Sequence, residues 1–339
     1  MKYIETVCCT EFKINHKHLI YIKDGYIYIY PNNIIKGKFI NFTLDDFFIY
    51  AYDIDINESV FYDIESLKII FCNKNFLSIR DDVDYRKERE LLFGQYRDSE
   101  KKYWVFVDSK QFSLIKKYEI TIESRNLFLI SDSLFLSKDN EKISLKEIDR
   151  NEILWQHTYS ELFEGKEIHQ YGNMVVHNEK LFIYLADNKD SQNVATISLD
   201  INSGKILDIY KGFAGNLFLN ANKLYVASYE TVKILDLETN QITELDFTDI
   251  LKQNGLQIHW NHFLVEDNLL YFADGNWATT NKLGIIDLDS RELLWHTEIN
   301  INDDINKNII DIKVLGNRLY VHCSDDTLHI FENDYSIKK

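Results

Sequence analysis

The chain has 339 residues, 45% of them hydrophobic, with 21 Tyr and 21 Phe, and its 38 basic and 54 acidic side chains give a formal net charge of −16. A field of that sign repels phosphate backbones and anionic lipid, so nucleic-acid and membrane-surface roles are excluded and a basic protein is the partner that charge favours. One Pro and 12 Gly, with no Pro-, Gly- or Ser-rich linker, argue for a single domain over 1–339.

The first residues, "MKYIETVCCTEFKINHKHLIYI", place Glu5, Glu11 and Lys13 where a secretory segment needs an unbroken apolar run, and no stretch of 18 apolar residues occurs anywhere. The expected location is the cytoplasm. Cys8, Cys9, Cys72 and Cys323 show no CxxC spacing and read as buried free thiols.

In chain order, "HLIYIKDGYIYIYP" (18–31) is an apolar strand, a polar turn and a second apolar strand, the pattern of a tight hairpin. The same scheme returns in "RNLFLISDSLFLSK" (125–138), "GNMVVHNEKLFIYL" (172–185), "GNLFLNANKLYVAS" (215–228), "NHFLVEDNLLYFAD" (261–274) and "IDIKVLGNRLYVHC" (310–323). A degenerate copy spans Phe76 to Tyr96, interrupted by the charged run "RDDVDYRKERE". Each is followed by a second hairpin whose first strand runs to an Asp before the turn. These are "SVFYDIESLKIIF" (59–71), the stretch 102–121, "ISLKEIDRNEILWQH" (143–157), "VATISLDINSGKILDIY" (194–210), "VKILDLETNQITELDF" (232–247), "LGIIDLDSRELLWHTEI" (283–299) and the truncated "TLHIFEND" (327–334).

Four strands per unit at roughly 48 residues is the arithmetic of an all-β ring of four-stranded antiparallel blades, a seven-bladed β-propeller. Residues 34–54 hold one or two strands more than the first blade needs, which leaves eight blades open. The last unit lacks a fourth strand, and "YIETVCC" (3–9) is expected to supply it, closing the last blade and removing a sheet edge.

These repeats resemble the quinoprotein-like and WD40-like β-propeller group along nearly the whole chain. Its repeats follow an Ala-x-Asp-x-x-Thr-Gly-x-x-x-Trp pattern; Asp287 to Trp295 keeps that spacing, Asp149 to Trp155 is a shortened copy, and Ser203-Gly204 keeps the turn while Asp208 stands in the Trp place. The resemblance implies that Trp155 and Trp295 pack between blades. No stretch matches the metal and stacking motifs of the quinone enzymes, so neither cofactor nor metal is expected.

In a blade, the turns joining strands one to two and three to four lie at one end, and the remaining connections lie at the other. The first set is short here. The second set is long: 158–172, 187–193, 248–259, 274–282 and 300–309. Long connections carry recognition more often than strands do, so the long-loop face is the expected binding face. On it stand His259, Trp260, His262, Asp274, Asn276, Trp277, Asp303 and Asp304, read together as a partner-binding set. His259 and His262, three apart on a strand, are expected to point to opposite sides and so to share no ion. "YDIDIN" (52–57) resembles the start of a calcium loop but has Glu58 where that loop needs Gly, and reads as a strand.

The function expected is that of a non-enzymatic protein-binding propeller, a monomer on its own, in one version an immunity or antitoxin-like inhibitor of a basic effector. The alternatives are a scaffold subunit of a larger assembly, and a hydrolase or lyase working at the channel mouth. The enzyme reading would draw on His259, His262, Asp274, Asp187, Tyr229 and Glu230.

Overall fold

A computed structural model describes residues 1–333 apart from 16, 32, 45–47, 80–90, 100, 109, 120–126, 132, 148, 151, 276–280 and 302–307. The described strands form eight four-stranded antiparallel sheets, the blades of a β-propeller. Eight is the observed number where the repeat count favoured seven. The additional blade is Phe39–Leu44, Phe48–Asp53, Glu58–Asp63 and Ile69–Asn73. Its first two strands lie in a stretch whose polar interruption is only Asp45-Asp46, so sequence periodicity shows one apolar run where the chain makes a hairpin. The stretch 18–31, read as an opening hairpin, is strands two and three of the first sheet, which begins with Glu11–Ile14 and ends with Asn33–Ile35.

The chain packs as two compact units. One, Cys8–Asp139 with Ile143–Gln156, holds the first four sheets but for a few residues of the fourth. Its cores lie between neighbouring sheets, as where Ile20, Ile22, Ile27 and Ile29 meet Phe39, Phe42, Ile49 and Val60. The other, Met1–Val7 with Asn140–Lys142 and the chain from His157 onward, holds the last four sheets. There Tyr225 and Val232 meet Phe263, Leu270 and Phe272, and Tyr271 and Leu283 meet Leu319 and Phe331.

This packing explains the sequence pattern. A second strand such as Leu269–Asp274 is covered on both faces and reads as a continuous apolar run, whereas an outer strand such as Glu292–Glu298 alternates exposed and partly buried positions. Trp295 packs edge-on against Phe331 with ring centroids 5.4 Å apart, joining the seventh sheet to the eighth, and Trp155 is buried, in keeping with a packing role for both.

The Asp that precedes the third turn in five of the sheets has a mechanism. Asp63, Asp108, Asp200, Asp236 and Asp287 accept backbone N–H groups two or three residues on, at 2.7–3.0 Å. The residue four places on then takes a left-handed conformation: Leu67, Phe112, Gly204, Asn240 and Arg291, with φ between 52° and 70°. The side chain replaces a missing backbone acceptor and fixes the turn.

The predicted N-terminal strand is present. Lys2–Cys8 is hydrogen-bonded to Thr327–Glu332 and completes the eighth sheet. All four cysteines are free, but only Cys9 and Cys323 are buried; Cys8 and Cys72 are exposed, each lying on the open side of a strand at the outer edge of its sheet. Among the described residues no helix is long and apolar enough to cross a membrane.

Candidate functional site

The candidate site lies within the second unit, at the end of the sheets from which the longer connections emerge. Two of these connections begin with helices. Tyr159–Leu162 follows Thr158, whose N–H donates to the Glu161 carboxylate at 2.7 Å, and it buries Tyr159 and Leu162. Thr248–Asn254 buries Leu251 and stops at Gly255, which is left-handed at φ 61°. The expected long loop 187–193 is instead a two-residue turn at Asn188-Lys189, because Asp190–Asp200 extends its strand to meet Lys180–Asp187.

A cavity of about 470 Å³ opens at this end. Its walls carry Tyr171 and Tyr184 of the fifth sheet, Tyr229 after the second strand of the sixth, and Trp260 in the first strand of the seventh. Small residues, among them Ala186, Ala214, Gly215, Ala227 and Gly275, leave the space open between those rings. A methyl group on Gly275 would come 2.9 Å from the Ile258 carbonyl oxygen, so the strand approach at this wall requires glycine.

Strand irregularities aim the aromatics. In the fifth sheet Tyr171 pairs with Tyr184 and Met174 with Ile183, so that Gly172 and Asn173 are extra residues. In the seventh, Ile258 pairs with Asp274 and Phe263 with Phe272, leaving His259, Trp260, Asn261 and His262 opposite Ala273 alone. Such bulges break the two-residue alternation and re-aim side chains. Tyr229 is held at φ 50°, uncommon for an aromatic residue, by reciprocal backbone bonds with Ile258 of 3.1 and 2.6 Å. Tyr171, Tyr229 and Trp260 are 39%, 41% and 39% exposed, well above most of their neighbours.

The bulge also overturns the expectation that His259 and His262 point apart. Their ring centroids are 4.4 Å apart, and His259 Nδ1 accepts the N–H groups of Asn261 and His262 at 3.1 and 3.2 Å. Trp260 stacks on His259 at 6.1 Å. Burial, with His262 beside it, pushes the His259 imidazole down to about 4, and burial lowers His262 as well, against the opposing pull of Asp311. Among the described residues no three His, Cys, Asp or Glu side chains come together as a metal-binding group.

The carboxylates at this end face inward. Asp187 is buried and accepts N–H groups from Lys166 at 2.8 Å, Glu167 at 3.1 Å and Lys189 at 2.9 Å, the first two in the incoming connection and the third in the turn that follows its strand. Those N–H groups, that of Lys166 foremost, hold its carboxyl below the usual carboxylate range. Asp274, also buried, accepts the Gln257 N–H at 2.8 Å. Both tie the incoming connection to the second strand of a sheet. Lys189 pairs with Glu167 at 2.8 Å on the surface above.

Of the residues expected to bind a partner, Trp260 reaches the cavity wall, His259 and His262 pack beside it, and Asp274 is turned into the fold. Asn276, Trp277, Asp303 and Asp304 lie outside the described residues. Sequence reasoning missed Tyr171 and Tyr184, which occupy positions where apolar alternation alone reads as core. Their signal is the Gly172-Asn173 pair, an interruption that marks a bulge.

No family model matches the chain, and no curated protein sequence matches it. Solved structures do. The chain is similar to BamB from Moraxella catarrhalis at 10% identity and a TM-score of 0.58, over 99% of both chains. It is similar to the computationally designed Ika8 protein at 13% identity and 0.57, over 96% of both. It is also similar to Sqt1 from Saccharomyces cerevisiae at 9% identity and 0.54, over 94% of this chain and 90% of that one. At such identities the likeness concerns the fold, and it upholds the resemblance to the quinoprotein-like and WD40-like propeller group at that level.

Proposed function

We propose that this protein is a non-enzymatic binding propeller that grips a protein partner through the end carrying the longer connections. The observation that carries the reading is the set of three half-exposed aromatic side chains, Tyr171, Tyr229 and Trp260, around one cavity at that end. Aromatics of this kind supply large contact area at small entropic cost and are the commonest anchors of protein interfaces. Propellers offer a rigid frame for such a patch, and the chain shares that fold with the solved propellers to which it is similar.

The net charge of −16 favours a basic partner, and one concrete form of the proposal is an inhibitor of a basic effector, monomeric until that partner arrives. The side chains that an enzyme reading would draw on support it less. Asp187 and Asp274 give their oxygens to backbone N–H groups, and the His259–His262 pair is committed to the bulge.

Affinity capture from native lysate with the purified chain as bait tests the proposal, with Trp260→Ala as the paired control. A stoichiometric basic protein retained by the wild type, released by salt and lost from the variant is the expected result. Recovery of no stoichiometric partner would sink it.

A further inference from the structure

The cavity has a chemical character that narrows what enters it. Four aromatic rings, those of Tyr171, Tyr184, Tyr229 and Trp260, line it, with the Tyr171 and Tyr184 centroids 5.9 Å apart. Their faces are electron-rich and attract cations. Asp187 is also a wall residue, but its carboxylate is turned to the N–H groups of Lys166, Glu167 and Lys189, with the Lys189 ammonium in its field, so the rings are what the cavity offers a cation. No lysine, arginine or histidine is among the described residues of the wall. An anionic ligand would meet aromatic faces and no cation in the described wall, and an apolar one would strip water from the polar wall residues Asn188, Ser191 and Ser228 with nothing given in return.

We propose that this cavity receives an arginine side chain presented by a loop of the partner protein. The proposal rests on the reading of this end as a protein-binding face and specifies what that face recognises. A guanidinium is planar, weakly hydrated and stacks on aromatic faces, and its N–H fork can donate to several acceptors at once. An ammonium is a strongly hydrated point charge that gains less from flat walls. The surplus charge of −16 draws such a cation toward the mouth, and the volume of about 470 Å³ admits the side chain together with part of its flanking backbone. The strained Tyr229, at φ 50°, is a wall residue held in place before any ligand arrives.

The test uses the full chain and four capped tripeptides, acetyl-Gly-X-Gly-amide with X as arginine, lysine, leucine or citrulline, the last being the neutral isostere of arginine. Binding is followed by two-dimensional NMR and by calorimetry, with peptide concentrations up to about 20 mM because a single side chain binds weakly. Saturable binding of the arginine peptide is expected, with citrulline and leucine weaker by about tenfold or more and lysine in between. Trp260→Ala should weaken the arginine peptide by about tenfold and Trp260→Phe by much less. Equal binding of arginine and citrulline, no saturation by arginine, or indifference to Trp260→Ala in a variant with a native spectrum would each overturn the proposal. A captured partner that binds Trp260→Ala normally would leave the protein-binding reading standing and remove this one. An arginine-selective cavity in a chain that captures no protein would do the reverse.

Discussion

The hydroxyl of Thr6 lies 2.9 Å from Nδ1 of His329, 323 positions further along the chain. Three residues before Thr6, Tyr3 packs edge-on against Phe331 at 5.9 Å. The first strand is thereby fastened to the last, and the eighth sheet is made from both regions of the sequence. Deleting residues 1–8 leaves Thr327–Glu332 with an unpaired edge of N–H and C=O groups and an uncovered Phe331. The expected result is a lower Tm and concentration-dependent association in light scattering. A deletion variant that melts and migrates as the full chain does would show that the fastening carries no stability.

Acid should loosen the Trp260 bulge. The ordinary His value of 6.5 falls to about 4 at His259 in the folded state, so between those values the unfolded chain binds more protons than the folded one. Stability from this group is fully present above 6.5 and declines as pH falls toward 4. His262 and His329, both lowered by burial, act in the same sense. Asp63, Asp187, Asp200 and Asp236, held below the usual carboxylate range, lose their contribution only at lower pH, and Glu161 and Glu167, also held low, begin to lose theirs toward 4.5, so the interval from about 5.5 to 6.5 isolates the histidines. His259→Asn, which keeps an acceptor near Nδ1, should flatten the Tm-against-pH curve there by a share of its slope. A curve parallel to that of the wild type would refute the assignment.

The repeated Asp turn makes a paired prediction of opposite sign. Arg291 sits at φ 60° in the place that Gly204 occupies at φ 70°. Arg291→Gly should relieve left-handed strain and stabilise by about 0.5 kcal/mol, a gain of roughly 1 °C, while Gly204→Ala should lose about the same or somewhat more. Differential scanning calorimetry resolves both, and shifts of the same sign would contradict the geometry.

Once a partner is captured, the kinetics should separate anchors from steering charges. Trp260→Ala is expected to speed dissociation and cost about 2 kcal/mol if the ring is a hot spot. Asp303→Asn with Asp304→Asn should slow association at low salt and converge on the wild type as salt rises. Wild-type rates for both variants by surface plasmon resonance at low salt would place recognition elsewhere.

The hairpin rhythm, the Asp-ended strands, the packing roles of Trp155 and Trp295 and the N-terminal strand of the eighth sheet were all legible in the sequence. Each follows from local alternation and turn chemistry, which a linear chain records directly. The blade from Phe39 to Asn73 was half hidden, because the run around Asp45-Asp46 offers too little polar contrast to mark a hairpin. Only tertiary structure decided the site. The His259–His262 contact needs a bulge of four residues against one, which breaks the alternation that sequence reasoning assumes. The cavity needs Tyr171, Tyr184, Tyr229 and Trp260 from three different sheets, and the Asp187 carboxylate is fixed by N–H groups of the incoming connection and of the following turn. Side-chain convergence across sheets depends on packing between segments distant in the chain, and no local pattern of residues encodes it.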